Sequence, residues 1–145
     1  MEKTKELFDK WSEKKIDIEF YWKGYKVTNI GEIWIENVWV NIGNEISKDW
    51  LFQRPCLICT KWMWWDLIWV IPISTKYNNN YKRFLIKIEN HEIYWLKYES
   101  YLCINQFQII SKKRLVKKIN DFNKWKFIKL ISKEFIKKVL LNILQ

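Results

Sequence analysis

The feature that most constrains the fold is a series of short segments, rich in β-branched and aromatic residues, through the middle of the chain. Residues 32–38 follow the two-residue period of a strand. Residues 56–59 and 66–73 are nearly continuous apolar runs, and Pro55 precedes the first of them, where a missing N–H costs no ladder bond. The 66–73 run predicts a strand that is buried on both faces.

The following part of the chain continues this pattern. A turn is predicted at 77–81 and an alternating strand at 82–88. We expect further strands at 93–96 and 101–110. A polar loop is predicted over residues 41–53.

Helical periodicity is confined to the two ends of the sequence. Residues 3–14 form an amphipathic pattern with Leu7, Phe8 and Trp11 on one side. Ser132 is placed to cap a final helix. The apolar positions of that helix make one stripe, consisting of Phe135, Ile136, Val139, Leu140, Ile143 and Leu144.

Many short strands with few helices predict a mainly β fold with flanking helices, built as a small antiparallel barrel or curled sheet. The length suits one folded domain. We therefore predict an N-terminal helical extension at residues 1–25 and a single domain at residues 26–145.

The net charge of +10 predicts a polyanionic partner, such as nucleic acid, anionic lipid or an acidic protein. Cys56, Cys59 and Cys103 are an odd number of cysteines in apolar surroundings, so we interpret them as reduced core thiols. Only His91 could join them as a metal ligand, and we predict neither a metal site nor another cofactor. Without a secretory signal or a membrane-length apolar run, the expected location is cytoplasmic, with no membrane partner.

Several segments resemble, in order, the motifs of the MazF/PemK family of type II toxins. Residues 31–34 (GEIW) are similar to the family's opening G-[DE]-I-[WY], and residues 54–58 (RPCLI) to its R-P-V-L-[VI]. Residues 72–75 (PIST) look like its P-[IL]-[ST]-[ST] strand end. Residues 104–115 resemble its L-S-Q-[IV]-R-x-[IV]-D-x-[KR]-R-L segment. The resemblance covers about residues 31–119 and implies an SH3-like barrel.

Three positions depart from the family pattern in the last of these segments. Gln108 stands in place of arginine, Asn105 in place of serine and Ser111 in place of aspartate. Positive charge there must come from neighbouring cations instead, so activity or RNA sequence preference could differ from that of the relatives.

The resemblance implies a metal-independent endoribonuclease that cuts single-stranded mRNA. In this chemistry the RNA 2′-hydroxyl attacks the adjacent phosphate and leaves a 2′,3′-cyclic phosphate and a 5′-hydroxyl, so the enzyme supplies proton transfer and charge stabilisation. A paired-histidine mechanism is excluded because His91 is the only histidine. The catalytic candidates are Arg54, whose guanidinium can grip two phosphate oxygens, and the hydroxyl of Ser74 or Thr75. The alternatives without a catalytic role are a surface arginine for Arg54 and an ordinary strand-end hydroxyl for Ser74 or Thr75.

A wider set of residues is expected to bind RNA. Gln106 could contact a base or satisfy loop carbonyls, and Trp50 and Phe52 could stack on bases or pack under their loop. The remaining candidates are Glu45 and Lys48 in the loop, Gln108, and the cations Lys112, Lys113 and Arg114.

The family resemblance also implies a homodimer and an acidic antitoxin that lies across the RNA groove. Three other functions stay open: a non-catalytic SH3-like nucleic-acid binding module, a gyrase poison of the CcdB type, and a basic protein that lies on anionic membrane. The CcdB reading is disfavoured because the chain ends in Leu144-Gln145 and lacks a C-terminal Trp-Gly-Ile.

The tryptophan content is high, with 11 Trp beside only 3 Gly. Trp39 and Trp50 stand where relatives usually carry glycine, and residues 62–65 stand where a glycine-tolerant hairpin is expected. One hypothesis is that some UGA codons, which certain genetic codes read as glycine, are written here as tryptophan. The alternative is a genuinely Trp-rich binding surface.

Overall fold

The structure is a computed structural model. It describes residues 3–21, 26–38, 53–60, 65–88 and 91–121. The helix predicted from Ser132 lies outside these residues, and so does almost all of the loop predicted at 41–53. Within them are one α-helix and seven strands: α1 (Lys5–Tyr21), β1 (Glu32–Asn37), β2 (Gln53–Ile58), β3 (Leu67–Ser74), β4 (Leu85–Lys87), β5 (Tyr101–Cys103), β6 (Gln108–Ser111) and β7 (Leu115–Asp121).

The strands form one antiparallel sheet in the order β4-β5-β3-β2-β1-β7, and β6 also pairs with β3. β3 is central because β2 pairs along one side, while β6 and β5 share the other side. The mainly β fold predicted from the sequence is therefore confirmed. The sheet of the described residues is open, so it corresponds to the curled-sheet alternative and does not close as a barrel.

Helix α1 is longer than the predicted 3–14 segment and ends at Tyr21. Thr4 caps its start, because the Thr4 hydroxyl accepts a hydrogen bond from the Leu7 N–H at 3.2 Å. Leu7 and Trp11 are buried, and Ile18 packs against them. The apolar stripe thus continues beyond residue 14, which explains the longer helix. No helix in the described part of the chain is long and apolar enough to cross a membrane.

The prediction was wrong in detail between residues 79 and 110. A 3-10 helix, Asn79–Phe84, occupies the start of the expected 82–88 strand, which leaves only the short β4. The segment predicted as a strand at 93–96 overlaps another 3-10 helix, His91–Tyr94. The expected 101–110 strand is broken by the 3-10 helix Ile104–Gln106 into β5 and β6. This break lets two short strands pair with different halves of β3.

The two faces of the sheet differ in chemistry. One, which we call the apolar face, carries a hydrophobic cluster whose buried strand residues are Ile33, Leu57, Ile71, Ile73 and Leu102. The buried polar residue Asn37 lies at the end of β1 on this face. The other, the mixed face, has an apolar cluster only towards one end. That cluster consists of Trp34, Cys56, Ile58, Ile68, Val70, Ile110 and Leu115.

Two exposed tryptophans adopt an unusual backbone conformation. Trp65 has φ 50° and Trp95 has φ 60°, and they are the non-glycine residues with positive φ in the described part of the chain. A side chain at Cβ makes this left-handed region costly for residues other than glycine. Gly31, with φ 88°, meets the same demand without a Cβ at the turn into β1.

Candidate active site

The strand register places charged groups together on the mixed face. Glu36 in β1 is directly opposite Arg54 in β2. Directly opposed residues of antiparallel strands project from the same face, with Cβ atoms about 4.5–5.5 Å apart. The carboxyl group of Glu36 and the guanidinium group of Arg54 are therefore cross-strand neighbours.

The same register relates Arg54 to Ser74. Cys56 is opposite Pro72, and these are two residues from Arg54 on β2 and from Ser74 on β3. Because side chains alternate between faces, Arg54 and Ser74 project from the same face as this pair. Both lie at or next to a terminus of their strands, on the side of the sheet that we call its edge. The two residues chosen from the sequence as catalytic candidates therefore share a face and an edge.

Two further residues extend the arrangement across the sheet. Ser74 is opposite Tyr101 in β5, and Tyr101 is opposite Lys87 in β4. The result is a line of polar side chains across β1, β2, β3, β5 and β4, which we call the polar row: Glu36, Arg54, Ser74, Tyr101 and Lys87. It lies beside the apolar cluster of the mixed face and gives this edge a hydrophilic surface.

The Ser74 side chain is oriented by the backbone after the strand. Its Oγ accepts a hydrogen bond from the Lys76 N–H at 3.2 Å. A hydroxyl group that accepts through its oxygen keeps its own proton to donate. Ser74 can therefore donate to a phosphate or ribose oxygen. Thr75 follows the strand and is exposed.

Glu36 is the most deeply buried ionisable residue of the polar row, with 0% of the residue exposed. Among the described residues, neither of its carboxylate oxygens has a hydrogen-bond partner. Burial raises the pKa of Glu36 to about 8, against the opposing effects of Arg54 and Arg114. The carboxyl group is therefore largely protonated at neutral pH, and the cations beside it set how far it can ionise.

Arg114 lies immediately before β7, at the end of a short 3-10 helix, and contacts helix α1. Leu115 is opposite Glu36, and Arg114 immediately precedes it. The Arg114 guanidinium lies 5.6 Å from the centre of the Trp11 ring. Burial lowers the pKa of Arg114, and Glu36 acts in the opposite direction. Arg114 is thus a cation held between α1 and the buried carboxyl group.

The two lysines predicted to bind RNA beside Arg114 have different environments. Lys112 is buried, with 5% of the residue exposed. Lys113 forms an ion pair with Glu19 of α1, with Nζ and Oε1 3.4 Å apart. Their environments differ because the segment folds into a 3-10 helix, Lys112–Arg114, against α1.

The glutamines predicted to contact RNA lie at different distances from the row. Gln108 is opposite Val70 on the mixed face, four residues along β3 from Ser74 or roughly 13 Å at the usual strand rise. Gln106 is half-buried at the end of a 3-10 helix. The other four predicted RNA contacts, Glu45, Lys48, Trp50 and Phe52, lie outside the described residues.

The cysteines are free thiols, as predicted. Burial raises the pKa of Cys59 to about 12, and burial also raises the pKa of Cys56 well above its usual value. Burial also raises the pKa of Cys103, while the charge of Arg54 lowers it. The described residues contain no group of three or more His, Cys, Asp or Glu that could hold a metal ion.

Sequence reasoning missed Glu36, Tyr101 and Lys87. Alternation places Glu36 among the polar positions of β1, but burial of that whole face becomes visible only when β2 and β7 are added. Tyr101 lies at the start of a segment that was predicted as one long strand, so its pairing with Ser74 was not foreseeable. The aromatic pair of Tyr101 with Tyr77, whose ring centres are 5.3 Å apart, marks this end of the row.

Comparison with known proteins supports this architecture. A family model described as a PemK-like, MazF-like toxin of type II toxin-antitoxin systems matches residues 29–143. The crystal structure of MazF (Form-I) from Deinococcus radiodurans is similar, with a TM-score of 0.60 and 13% sequence identity. The alignment covers 83% of this chain and 100% of that chain, and at this identity it supports the fold alone.

Among curated proteins, none matches this chain significantly. Because the family model spans most of the sequence, the chain belongs to the family of PemK-like, MazF-like toxins of type II toxin-antitoxin systems.

Proposed function

We propose that this chain is a cytoplasmic endoribonuclease that cleaves single-stranded mRNA, and that Arg54 and Ser74 of the polar row contact the scissile phosphate. The observation that carries the proposal is the shared face and edge of Arg54 and Ser74. A guanidinium stabilises the charge that develops on the phosphate, and a hydroxyl donates to one of its oxygens. The nucleophile is the RNA's own 2′-hydroxyl group, so the chemistry itself requires no metal.

The surrounding groups suit a negatively charged, single-stranded substrate. Lys87 adds a second cation to the row, although it also pairs with Glu99 at 2.6 Å. Tyr101 and Tyr77 offer aromatic rings beside Ser74, on which unpaired bases can stack. The overall charge of +10 favours binding of RNA and, by the same electrostatics, of an acidic antitoxin segment. We also propose a homodimer, as the family resemblance implies.

The test is cleavage of a single-stranded RNA by the purified chain in the presence of a chelator. We expect fragments that carry 5′-hydroxyl and 2′,3′-cyclic phosphate ends. Arg54→Ala should slow cleavage by about 100-fold or more, the usual scale for losing a transition-state charge contact. Arg83→Ala is the matched control, because Arg83 is exposed and stacks on Phe84 at 4.6 Å.

Equal cleavage by Arg54→Ala and the unmodified chain would contradict the role of Arg54. The second candidate function is a nucleic-acid binding module without catalysis. It is favoured by Gln108, an uncharged residue where relatives have arginine. RNA binding without any release of 5′-hydroxyl fragments would support it.

A further inference from the structure

The buried carboxyl group of Glu36 lies at one end of the polar row and has no role in the cleavage chemistry proposed above. We propose that Glu36 is a positioning residue, whose carboxyl group orients the guanidinium groups of Arg54 and Arg114 at the edge where RNA binds. This inference rests on the proposed function, because it assigns Arg54 to the phosphate. It assigns to Glu36 no contact with RNA.

The first argument is geometric. Glu36 is flanked by β2, which contains Arg54, and by β7, which is directly preceded by Arg114. Arg54 is directly opposite it, and Arg114 precedes its partner Leu115. Among the described residues, the thiol of Cys56, two residues after Arg54 on β2, also interacts with Glu36, and the pKa of this thiol is raised by burial and secondarily by that carboxyl group. Two cations, one from β2 and one from the 3-10 helix before β7, therefore act on one carboxyl group.

The second argument is energetic. An ionisable group that is taken out of water without hydrogen bonds costs several kcal/mol. Glu36 is such a group, being fully buried, with neither carboxylate oxygen hydrogen-bonded among the described residues. Trp34, which lies on the same strand and the same face as Glu36, shows that this face accepts hydrophobic side chains. A leucine at position 36 would suit the core better, so the carboxyl group is not explained by stability.

The carboxyl group also gives the site a dependence on pH. The pKa of about 8 means that Glu36 is mostly neutral below that pH and mostly ionised above it. Once ionised, it draws the guanidinium groups inward and cancels one positive charge of the row. RNA affinity and cleavage should therefore decline as pH rises through about 8.

The experiment compares Glu36→Leu and Glu36→Gln with the unmodified chain, by cleavage rate and by thermal unfolding. We expect Glu36→Leu to be at least as stable and to cleave about tenfold more slowly, because Arg54 loses its orienting partner. Glu36→Gln keeps an acceptor oxygen and should lose less than about threefold at pH 7. Its cleavage should not decline through pH 8. Parallel pH profiles for Glu36→Gln and the unmodified chain would overturn the inference.

A matched control comes from the same strand and face. Glu32 is buried and pairs with Lys118 at 2.9 Å, away from Arg54. Glu32→Gln should keep the decline in cleavage through pH 8, whatever it does to stability. If it abolishes that decline as completely as Glu36→Gln does, the assignment to Glu36 is wrong.

A second readout does not depend on nuclease activity. Titration of the Glu36 carboxyl carbon by NMR should give a midpoint near 8, and Arg54→Ala should move the midpoint higher because a favourable cation is lost. An unchanged midpoint in Arg54→Ala overturns the inference even if RNA is cleaved. If Arg54→Ala cleaves RNA normally while the midpoint shifts, the proposed function fails and the contact between Glu36 and Arg54 stands.

An independent observation concerns the exposed tryptophans at the two left-handed turns. We infer that positions 65 and 95 are glycine in the protein as its own cell makes it. Trp65 and Trp95 have positive φ and are 81% and 75% exposed. The Cβ atom of a tryptophan makes this left-handed conformation costly, whereas glycine adopts it freely. With only 3 glycines beside 11 tryptophans in the sequence, UGA codons read as glycine would account for both.

Buried tryptophans provide the control for this inference. Trp11 packs with Leu7, and Trp34 belongs to the apolar cluster of the mixed face, so both fill space that glycine would leave empty. We expect UGA codons at 65 and 95 and UGG codons at 11 and 34. Peptide mass spectrometry of the protein from its native cells decides the matter. Glycine at 65 and 95 is the expected result, and tryptophan at both positions overturns the inference.

Discussion

The apolar face and the mixed face of the sheet are made by the same strands, yet their side chains differ in polarity. On the apolar face, a hydrophobic cluster extends from Ile33 in β1 to Leu102 in β5, and Asn37 is a buried polar residue at the end of β1. On the mixed face, Cys56 and Pro72 form the last cross-strand pair before the polar row. The apolar cluster ends there, and the next side chains on this face are Arg54 and Ser74. The comparison teaches that the first face stabilises the fold, while the second gives up part of its packing to hold charged groups together.

The largest effect on stability should come from the apolar face. Leu57→Ala removes a fully buried side chain and should lower the free energy of unfolding by about 2–5 kcal/mol. Ser74→Ala, on the mixed face, should change it by less than about 1 kcal/mol while slowing RNA cleavage. Urea unfolding curves for both variants measure the difference. A Ser74→Ala protein as unstable as Leu57→Ala would break the distinction between the two faces.

The next effect is the dependence of stability on pH. The pKa of Glu36 is raised from 4.5 to about 8 in the folded state, so between these values the folded chain holds a proton that the unfolded chain has released. Stability should therefore fall as pH rises through this window, by roughly 5 kcal/mol, and change little from this source above it.

Glu36→Gln measures that contribution directly, because an amide does not titrate in this range. Denaturant unfolding of the unmodified chain and of Glu36→Gln should give a stability difference that widens from pH 5 to pH 8. Glu32→Gln, on the same strand, should leave the slope in place. A constant difference between the unmodified chain and Glu36→Gln would show that Glu36 is not desolvated in the folded protein.

A smaller effect concerns RNA binding at the far end of the polar row. Tyr101→Ala should weaken the affinity for a single-stranded RNA by about 1–3 kcal/mol, the usual value of one base stacked on an aromatic ring. Tyr101→Phe keeps the ring and should bind within about twofold of the unmodified chain. Fluorescence anisotropy with a non-cleavable 2′-deoxy oligonucleotide provides the measurement. Equal losses in both variants would assign the effect to the hydroxyl group, which donates to Glu99 at 3.4 Å.

The smallest effect should come from the turns outside both faces. Trp65→Gly and Trp95→Gly should each raise the free energy of unfolding by about 1 kcal/mol, because glycine occupies positive φ without a clashing Cβ. Trp34→Ala should have the opposite sign, since Trp34 is buried on the mixed face. Thermal unfolding of the recombinant variants compares them. Destabilisation by both glycine substitutions would mean that the tryptophan rings pack in solution.

The parts of the fold that the sequence predicted well are those with continuous patterns. β1, β2 and β3 are long enough for alternation or apolar runs to be unambiguous, and they carry the register that aligns Arg54 with Ser74. Residues 79–110 were harder, because 3-10 helices of three to six residues share the composition of short strands. Their boundaries depend on which half of β3 each segment pairs with, and that is a tertiary property.

The candidate site divides in the same way. Arg54 and Ser74 stand in recognisable motifs, whereas Glu36 is a glutamate in a strand that could equally have faced water. Its burial follows from the apolar cluster around Trp34 and from pairing with β2 and β7. The lysines near residue 112 looked solvent-facing in the sequence, but α1 and a 3-10 turn enclose that segment.

The most direct test of the central claim is to locate RNA on the sheet. A non-cleavable 2′-deoxy analogue can be titrated into isotopically labelled protein while backbone amide NMR shifts are followed. We expect the largest shifts at Arg54, Ser74 and Tyr101, and small ones at Ile58 and Val70, which lie on the same face within its apolar cluster. Saturable binding whose shifts avoid the polar row would contradict the account.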